Sequence, residues 1–170
     1  HDEPRGVLKI NAPMSFGTMY LCGAVDEFME RYPELRIELV LSDRFIDPLE
    51  EGVDVTVRIG ALADSSLIAR RLAPARLALV ASPDYLAANG TPQTPQDLAK
   101  HRCLAYGHMA AVHRWHLRQG AEIISAQIAS ALCSNNGEVL RTAALAGNGI
   151  VNLPTFFVGP DIASKALVQV

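Results

Sequence analysis

Apolar positions along this chain switch between a two-residue and a 3.6-residue rhythm, the first marking strands and the second helices. Val7-Leu8-Lys9-Ile10 reads as a strand. Leu21, Ala24, Val25, Phe28 and Tyr32 then mark one face of a helix over 18–31, which Tyr32-Pro33 ends because proline does not continue a helix. Leu35, Ile37, Leu39 and Leu41 alternate as a second strand. Ser42-Asp43 leads into a short helix that closes at Glu50-Glu51-Gly52 and carries Pro48 inside it, where it should bend the helix or delay its start. Val53, Val55, Val57 and Ile59 alternate with Asp54, Thr56 and Arg58 as a third strand, closed by Gly60. Such alternation predicts a mainly parallel α/β sheet.

Leu67 to Leu72 and Arg76 to Ala81 are two further extended runs, separated by Ala73-Pro74-Ala75. Ser82-Pro83 is a helix cap with proline at the first helical position, and Asn89-Gly90 ends that helix. Thr94-Pro95-Gln96-Asp97 repeats the device with an acidic residue three after the cap. Trp115-His116-Leu117 and Glu122 to Ser125, joined through Gln119-Gly120, predict a hairpin. A strand over 128–132 precedes Asn136, which caps the helix carrying Val139, Leu140, Ala143, Ala144 and Leu145. Gly147 and Gly149 stop it, Ile150 to Pro154 is a strand, and a last helix and strand (Leu167 to Val170) follow. The pattern divides into two lobes, 1–73 plus 154–170 as lobe I and 74–153 as lobe II, connected twice, near residues 73 and 153. A cleft at such a crossover is where α/β sheets bind ligands.

At 170 residues, with 49% hydrophobic and 19% charged residues, the chain can bury a core without staples. A net charge of −3, and no basic run interleaved with aromatics, argue against a nucleic-acid surface. Three irregularly spaced cysteines, Cys22, Cys103 and Cys133, build no disulfide framework and favour a reducing, cytoplasmic setting. No stretch reaches the ~20 apolar residues of a membrane span. The polar start His1-Asp2-Glu3-Pro4-Arg5 lacks an apolar signal core and an initiator Met, and is expected to be the cut end of a longer chain.

Two places set a polar residue between a strand and the first turn of a helix: Ala12-Pro13-Met14-Ser15-Phe16-Gly17 and Ser134-Asn135-Asn136-Gly137-Glu138. Helix starts carry unpaired N–H groups and partial positive charge, so they suit anions. Plain readings stand beside this: Ser15 and Asn136 as ordinary caps, Phe16 as core, Arg58 as a solvated strand residue and Arg70-Arg71 as a solvated edge. His101, His108, His113 and His116 cluster in sequence with Cys103. His113 and His116 flank Trp115 near a hairpin and would point to different faces, so no metal site is expected. Gly147-Asn148-Gly149 follows a helix and precedes a strand, the wrong setting for a dinucleotide loop. No Gly-x-Ser-x-Gly elbow occurs. Cys133 near the second helix start could have a lowered thiol pKa, though a structural thiol is the plainer reading. No catalytic residue, metal or cofactor is assigned.

Several motifs together resemble the effector-binding domain of LysR-type transcriptional regulators. They are Ala12-Pro13-x-Ser15-Phe16-Gly17, Glu27-Phe28-x-x-Arg31-Tyr32-Pro33, Leu41-Ser42-Asp43-Arg44-Phe45 and Glu50-Glu51-Gly52-x-Asp54-Val55-x-Val57-Arg58-Ile59-Gly60. Ser65 to Leu72, Ala81-Ser82-Pro83-x-Tyr85-Leu86, Asn135-Asn136-Gly137-Glu138 and Ala144-Leu145-Ala146-Gly147-x-Gly149-Ile150 continue the series in order. Asn148 and Asn152 are more polar than that pattern has beside the crossover. The resemblance implies two Rossmann-like lobes of the type 2 periplasmic-binding-protein kind, joined by two crossovers, with a small-molecule effector between them. By matching position, Ser15, Phe16, Ser42, Arg58, Gly60, Asn135, Asn136, Pro154 and Thr155 would bind it. Hydroxyls and helix-start N–H groups would hold an anion or aromatic acid, and the Arg58 guanidinium would grip a carboxylate. A homodimer or tetramer is implied, with DNA bound only through a helix-turn-helix domain that this stretch lacks along with the family's C-terminal end. The rivals are a solute-binding protein of similar architecture, a hydrolase or lyase using Ser15 or Cys133, and an interaction-only domain with an empty, vestigial cleft.

Overall fold

In the computed structural model, which describes residues 4–44, 46–60, 65–107, 109 and 114–170, the chain divides into two compact units, His1–Arg70 and Arg71–Val170. Phe45, His108 and His113, singled out in the sequence, lie outside the described residues.

The first unit is built around β1 (Gly6–Ala12), which lies between β2 (Leu35–Leu41) and β3 (Val55–Thr56), all parallel. Side chains alternate across a pleated strand, and β2 accordingly alternates between half-buried Leu35, Ile37, Leu39 and Leu41 and exposed neighbours. The helix expected from Thr18 starts earlier. α1 (Met14–Phe16) runs through a π-helical turn (Gly17–Leu21) into α2 (Cys22–Arg31). Gly17 permits this early start, because a β-carbon there would overlap the Leu41 side chain. Tyr32 ends the run, its ring 4.8 Å from Phe28 and beneath the Arg31 guanidinium. The short helix expected after Ser42 is only a turn. The Asp47 carboxylate accepts from the Leu49 N–H at 2.9 Å, so Pro48 sits at the first position of the turn and not inside a helix.

The second unit carries a five-stranded sheet in the order β10-β4-β9-β5-β8. Its strands are β4 (Leu77–Ala81), β5 (Cys103–Tyr106), β8 (Ser130–Ser134), β9 (Ile150–Pro154) and β10 (Val168–Gln169), with the hairpin β6 (Arg114–Gln119) and β7 (Glu122–Gln127) beside it. Four of the strands, β5, β8, β9 and β10, run in one direction, whereas β4 is antiparallel to both its neighbours, so the sheet is mixed. Pleat alternation sorts its side chains into two cores. Ala78, Val80, Leu104, Val151 and Leu153 pack with α4 (Gly137–Leu145) and α5 (Thr155–Ala163). Ala81, Cys103, Ala105 and Ile150 pack on the other face with Tyr85 of α3 (Pro83–Asn89), Leu98 of the 3-10 helix (Pro95–Lys100), and Trp115 and Ala126 of the hairpin. Ser82 caps α3 as expected, its Oγ accepting from the Tyr85 N–H at 3.2 Å. The run 67–72 forms no strand, and β5 is a strand the pattern did not indicate.

Residues 154–170, grouped by the sequence with lobe I, lie in the second unit. Phe157, Val158 and Leu167 complete one of its cores, Val168 pairs with Ala81, and Val170 donates to the Leu79 carbonyl at 2.9 Å. Pro154 marks a strand-to-helix turn inside this unit. Within these residues the chain passes from the first unit to the second once, after Arg70.

Candidate functional site

In the first unit the site residues gather at the carboxyl ends of three parallel strands, where α/β sheets bind ligands. Ser15 and Phe16 follow β1, Ser42 follows β2, and Arg58 and Gly60 follow β3. Neighbouring strands bring these ends together although the residues lie far apart in sequence. Ser42 donates its N–H to the Ala12 carbonyl at 2.9 Å, and Val57 donates to the Asn11 carbonyl at 2.8 Å.

Ser15 is not the cap of the first helix. Pro13 holds that position without a side-chain bond, and Ser15 lies one residue inside the helix, half-buried. The Asp43 carboxylate takes over the capping, accepting from the Met14 N–H at 3.1 Å. A negative group at a helix start satisfies an unpaired donor and complements the dipole. Asp43 was not among the expected site residues. Its role depends on β2 lying beside β1, which local pattern does not disclose.

Arg58 is not a free solvated side chain. Its guanidinium donates to the Ser42 carbonyl at 3.4 Å and the Arg44 carbonyl at 3.2 Å, bracing the turn that follows β2. Burial lowers its pKa, and the negative charge of Asp43 partly offsets the shift. The Ser42 hydroxyl accepts from the Arg44 N–H at 3.2 Å, so it shapes the same turn. Phe16 is half-buried and stacks on Tyr20, with ring centroids 5.8 Å apart. Gly60 is exposed, with a positive φ of 139°.

In the second unit the parallel strands β8, β5 and β9 bring Asn135, Asn136, Tyr106, Pro154 and Thr155 to one edge of the sheet. Asn136 is the cap the sequence indicated. Its Oδ1 accepts from the Glu138 N–H at 2.8 Å and the Val139 N–H at 3.4 Å, and its own N–H donates to Ser134 Oγ at 3.1 Å. Pro154 ends β9, and the first residue of α5, Thr155, donates its N–H to the Arg76 carbonyl at 2.8 Å. Tyr106 is an addition. It is 45% exposed, and its hydroxyl donates to the Asn135 carbonyl at 2.7 Å, which fixes its ring beside the start of α4. A lone Tyr at the end of a four-residue strand gave no signal in sequence.

The remaining reactive groups have other surroundings. Cys103 is fully buried and burial pushes its thiol up to about 12, so it is inert at neutral pH. The Cys133 sulfur lies 3.2 Å from that of Met109, in β8 and not at the helix start. His101 bonds the Tyr85 hydroxyl at 3.1 Å, and His116 points to solvent opposite the buried Trp115. Among the described residues no group of three His, Cys, Asp or Glu side chains is placed to hold a metal ion, and no helix is long and apolar enough to cross a membrane.

A family model described as the LysR substrate binding domain matches residues 1–170. The HTH-type transcriptional regulator CrgA of Neisseria meningitidis (serogroup B, strain MC58) is 38% identical over 168 residues, covering 99% of this chain and 56% of that protein. The HTH-type transcriptional activator TtdR of Escherichia coli (strain K12) is 34% identical over 169 residues, covering 99% of this chain and 54% of that protein. This chain therefore spans just over half the length of these relatives. The solved regulatory domain of CrgA superposes with a TM-score of 0.82 at 37% identity, covering 98% of this chain and 81% of that one. With its mixed α/β sheets in the type 2 periplasmic-binding-protein arrangement, the chain belongs to the family of LysR-type substrate-binding, or effector-binding, domains.

Proposed function

We propose that this chain is the sensor of a cytoplasmic LysR-type transcriptional regulator, binding a small-molecule effector that controls how the assembled regulator acts on DNA. The match to transcriptional regulators over 99% of the chain carries this reading and favours it over a periplasmic solute-binding protein. Ser15, Phe16, Ser42, Arg58 and Gly60 of the first unit and Asn135, Asn136, Pro154 and Thr155 of the second are its proposed effector contacts. Helix-start N–H groups, hydroxyls and a guanidinium favour an anion, and Phe16 and Tyr106 favour a planar, aromatic acid. Arg58 contributes by holding the Ser42–Arg44 turn in place as well as by its charge. DNA is bound through a separate domain, and dimer or tetramer contacts transmit the signal. Control requires the effector to prefer one state of that assembly, since a ligand indifferent to both shifts nothing. No catalytic step is assigned.

A thermal-melt screen against small carboxylates, aromatic acids and inorganic anions tests the reading. A ligand at a hundred times its dissociation constant adds roughly 2.7 kcal/mol of stability. For a chain of this size each kcal/mol moves the melting temperature by roughly 2–4 °C. A saturable shift that Arg58→Ala and Asn136→Ala both weaken supports it, and a shift untouched by either change moves the site elsewhere.

A further inference from the structure

In the second unit Asn136 caps α4 after β8, Thr155 opens α5 after β9, and β5 lies between those two strands. The strands fix where each helix begins but not how the helices tilt or slide against each other. Leu140 and Ala144 of α4 and Phe157 and Val158 of α5 enter one apolar core. Apolar burial is non-directional, so it holds both helices on the sheet without setting their register along one another.

One side chain supplies the missing direction. Arg141 donates from Nε and Nη2 to the two carboxylate oxygens of Asp161 in α5, at 2.6 and 2.7 Å. From Nη1 it donates to Glu138 Oε1, in the first turn of its own helix, at 3.0 Å. The same guanidinium lies 5.8 Å from the centre of the Phe157 ring, in the first turn of α5. A single side chain thus touches the first turn of both helices. Asp161 is buried and Arg141 half-buried. A two-pronged bond between guanidinium and carboxylate fixes a plane and a distance as well as adding energy. Because both charges give up water, such a pair adds less net stability than its short contacts suggest, and its larger contribution is geometric.

We propose that Arg141 is a positioning residue for effector recognition: by gripping Asp161, Glu138 and Phe157 together it sets the spacing of the α4 and α5 starts, and so of Asn136 and Thr155. The inference rests on the reading that those two residues contact the effector. Arg141 itself makes no bond to the ligand.

Amide hydrogen exchange, followed residue by residue by NMR on the ligand-free chain, tests the placement, and titration calorimetry with benzoate tests its consequence. Arg141→Lys keeps a positive charge beside Asp161 but lacks the planar fork that reaches three partners at once. In this variant the amides of Glu138 and Val139 in α4 and of Thr155 and Val158 in α5 should exchange at least about tenfold faster, with those of Leu104 and Val151 in the sheet within about twofold. Asp161→Asn, which weakens the same grip from the other helix, should give the same pattern. Both variants should bind benzoate about tenfold more weakly. Lys100→Ala, which breaks a solvated ion pair in the same unit, should change neither readout. Unaltered exchange at both helix starts in Arg141→Lys overturns the proposal, as does faster exchange spread evenly through the sheet, which would mark a general loss of stability. Benzoate affinity unchanged by Arg141→Lys yet weakened by Asn136→Ala overturns the positioning role and leaves the effector reading standing. Benzoate binding indifferent to Asn136→Ala removes the contact itself, and the proposal with it.

Discussion

The second unit buries two apolar clusters on the two faces of its sheet, whereas the first buries little beyond Ile10, Asn11, Ala12 and Gly17 of its described residues. Its helical run leaves Met19, Tyr20, Phe28 and Met29 exposed, and Val40 is 48% exposed on the far side of the sheet. Parallel sheets are ordinarily covered on both faces. The contrast places most of the buried apolar surface among the described residues in the second unit.

Leu140→Ala should show the contrast most strongly. Leu140 is fully buried between α4 and the sheet, and truncation should cost about 2–5 kcal/mol in denaturant unfolding. Val40→Ala in the first unit should cost less than about 1 kcal/mol, and an equal loss there would erase the distinction. Next comes the tie between α4 and α5, where Arg141 Nε and Nη2 grip Asp161 at 2.6 and 2.7 Å and the carboxylate side chain is only 9% exposed. Arg141→Ala should cost about 2 kcal/mol, below the 3–5 typical of fully buried pairs because Arg141 remains partly in water. Lys9→Ala, which breaks the solvated pair with Glu38, should cost no more than about 0.5 kcal/mol in the same assay.

Helix starts give a smaller test. Asn136→Ala should lose about 1 kcal/mol and Ser15→Ala almost nothing, since only Asn136 caps its helix. A comparable loss at Ser15 would show that its hydroxyl holds the first helix after all. Smallest at neutral pH is the effect of Cys103, whose thiol burial raises from 9.0 to about 12. The folded protein keeps this thiol protonated where the unfolded chain ionises it. Its contribution to stability is therefore complete below pH 9 and is lost as pH rises toward 12. Cys103→Ala should flatten the alkaline limb of the stability curve, and an unchanged limb would disprove the shift. A thiol-alkylating agent should modify exposed Cys22 in the native chain and spare Cys103.

What the sequence disclosed was mostly local. The Ser82 and Asn136 caps, the hairpin around Gly120, and the alternation of β2 each depend on neighbours within a few residues. What it missed was set at long range. β5 is a short apolar run whose strand identity comes from β8 and β9 on either side of it. Leu67 to Leu72 looks extended and hydrophobic yet finds no strand partner among the described residues, leaving Ile68 fully exposed. The site divides in the same way: Asn136 was legible as a cap, while Asp43 on the Met14 N–H and the Arg58 brace depend on strand order.

The placement of β4 also bears on how the chain matures during synthesis. The first unit can pair β1 with β2 and β3 as soon as those nearby segments emerge, whereas Leu77 waits for Pro154 and Ala81 waits for Val168. Pairing across such separations is slow, and a strand with two open edges invites association with other chains. The nascent second unit therefore keeps β4 without its neighbours until the chain through Val168 has emerged, and β4 is the strand most exposed to wrong pairing in that interval.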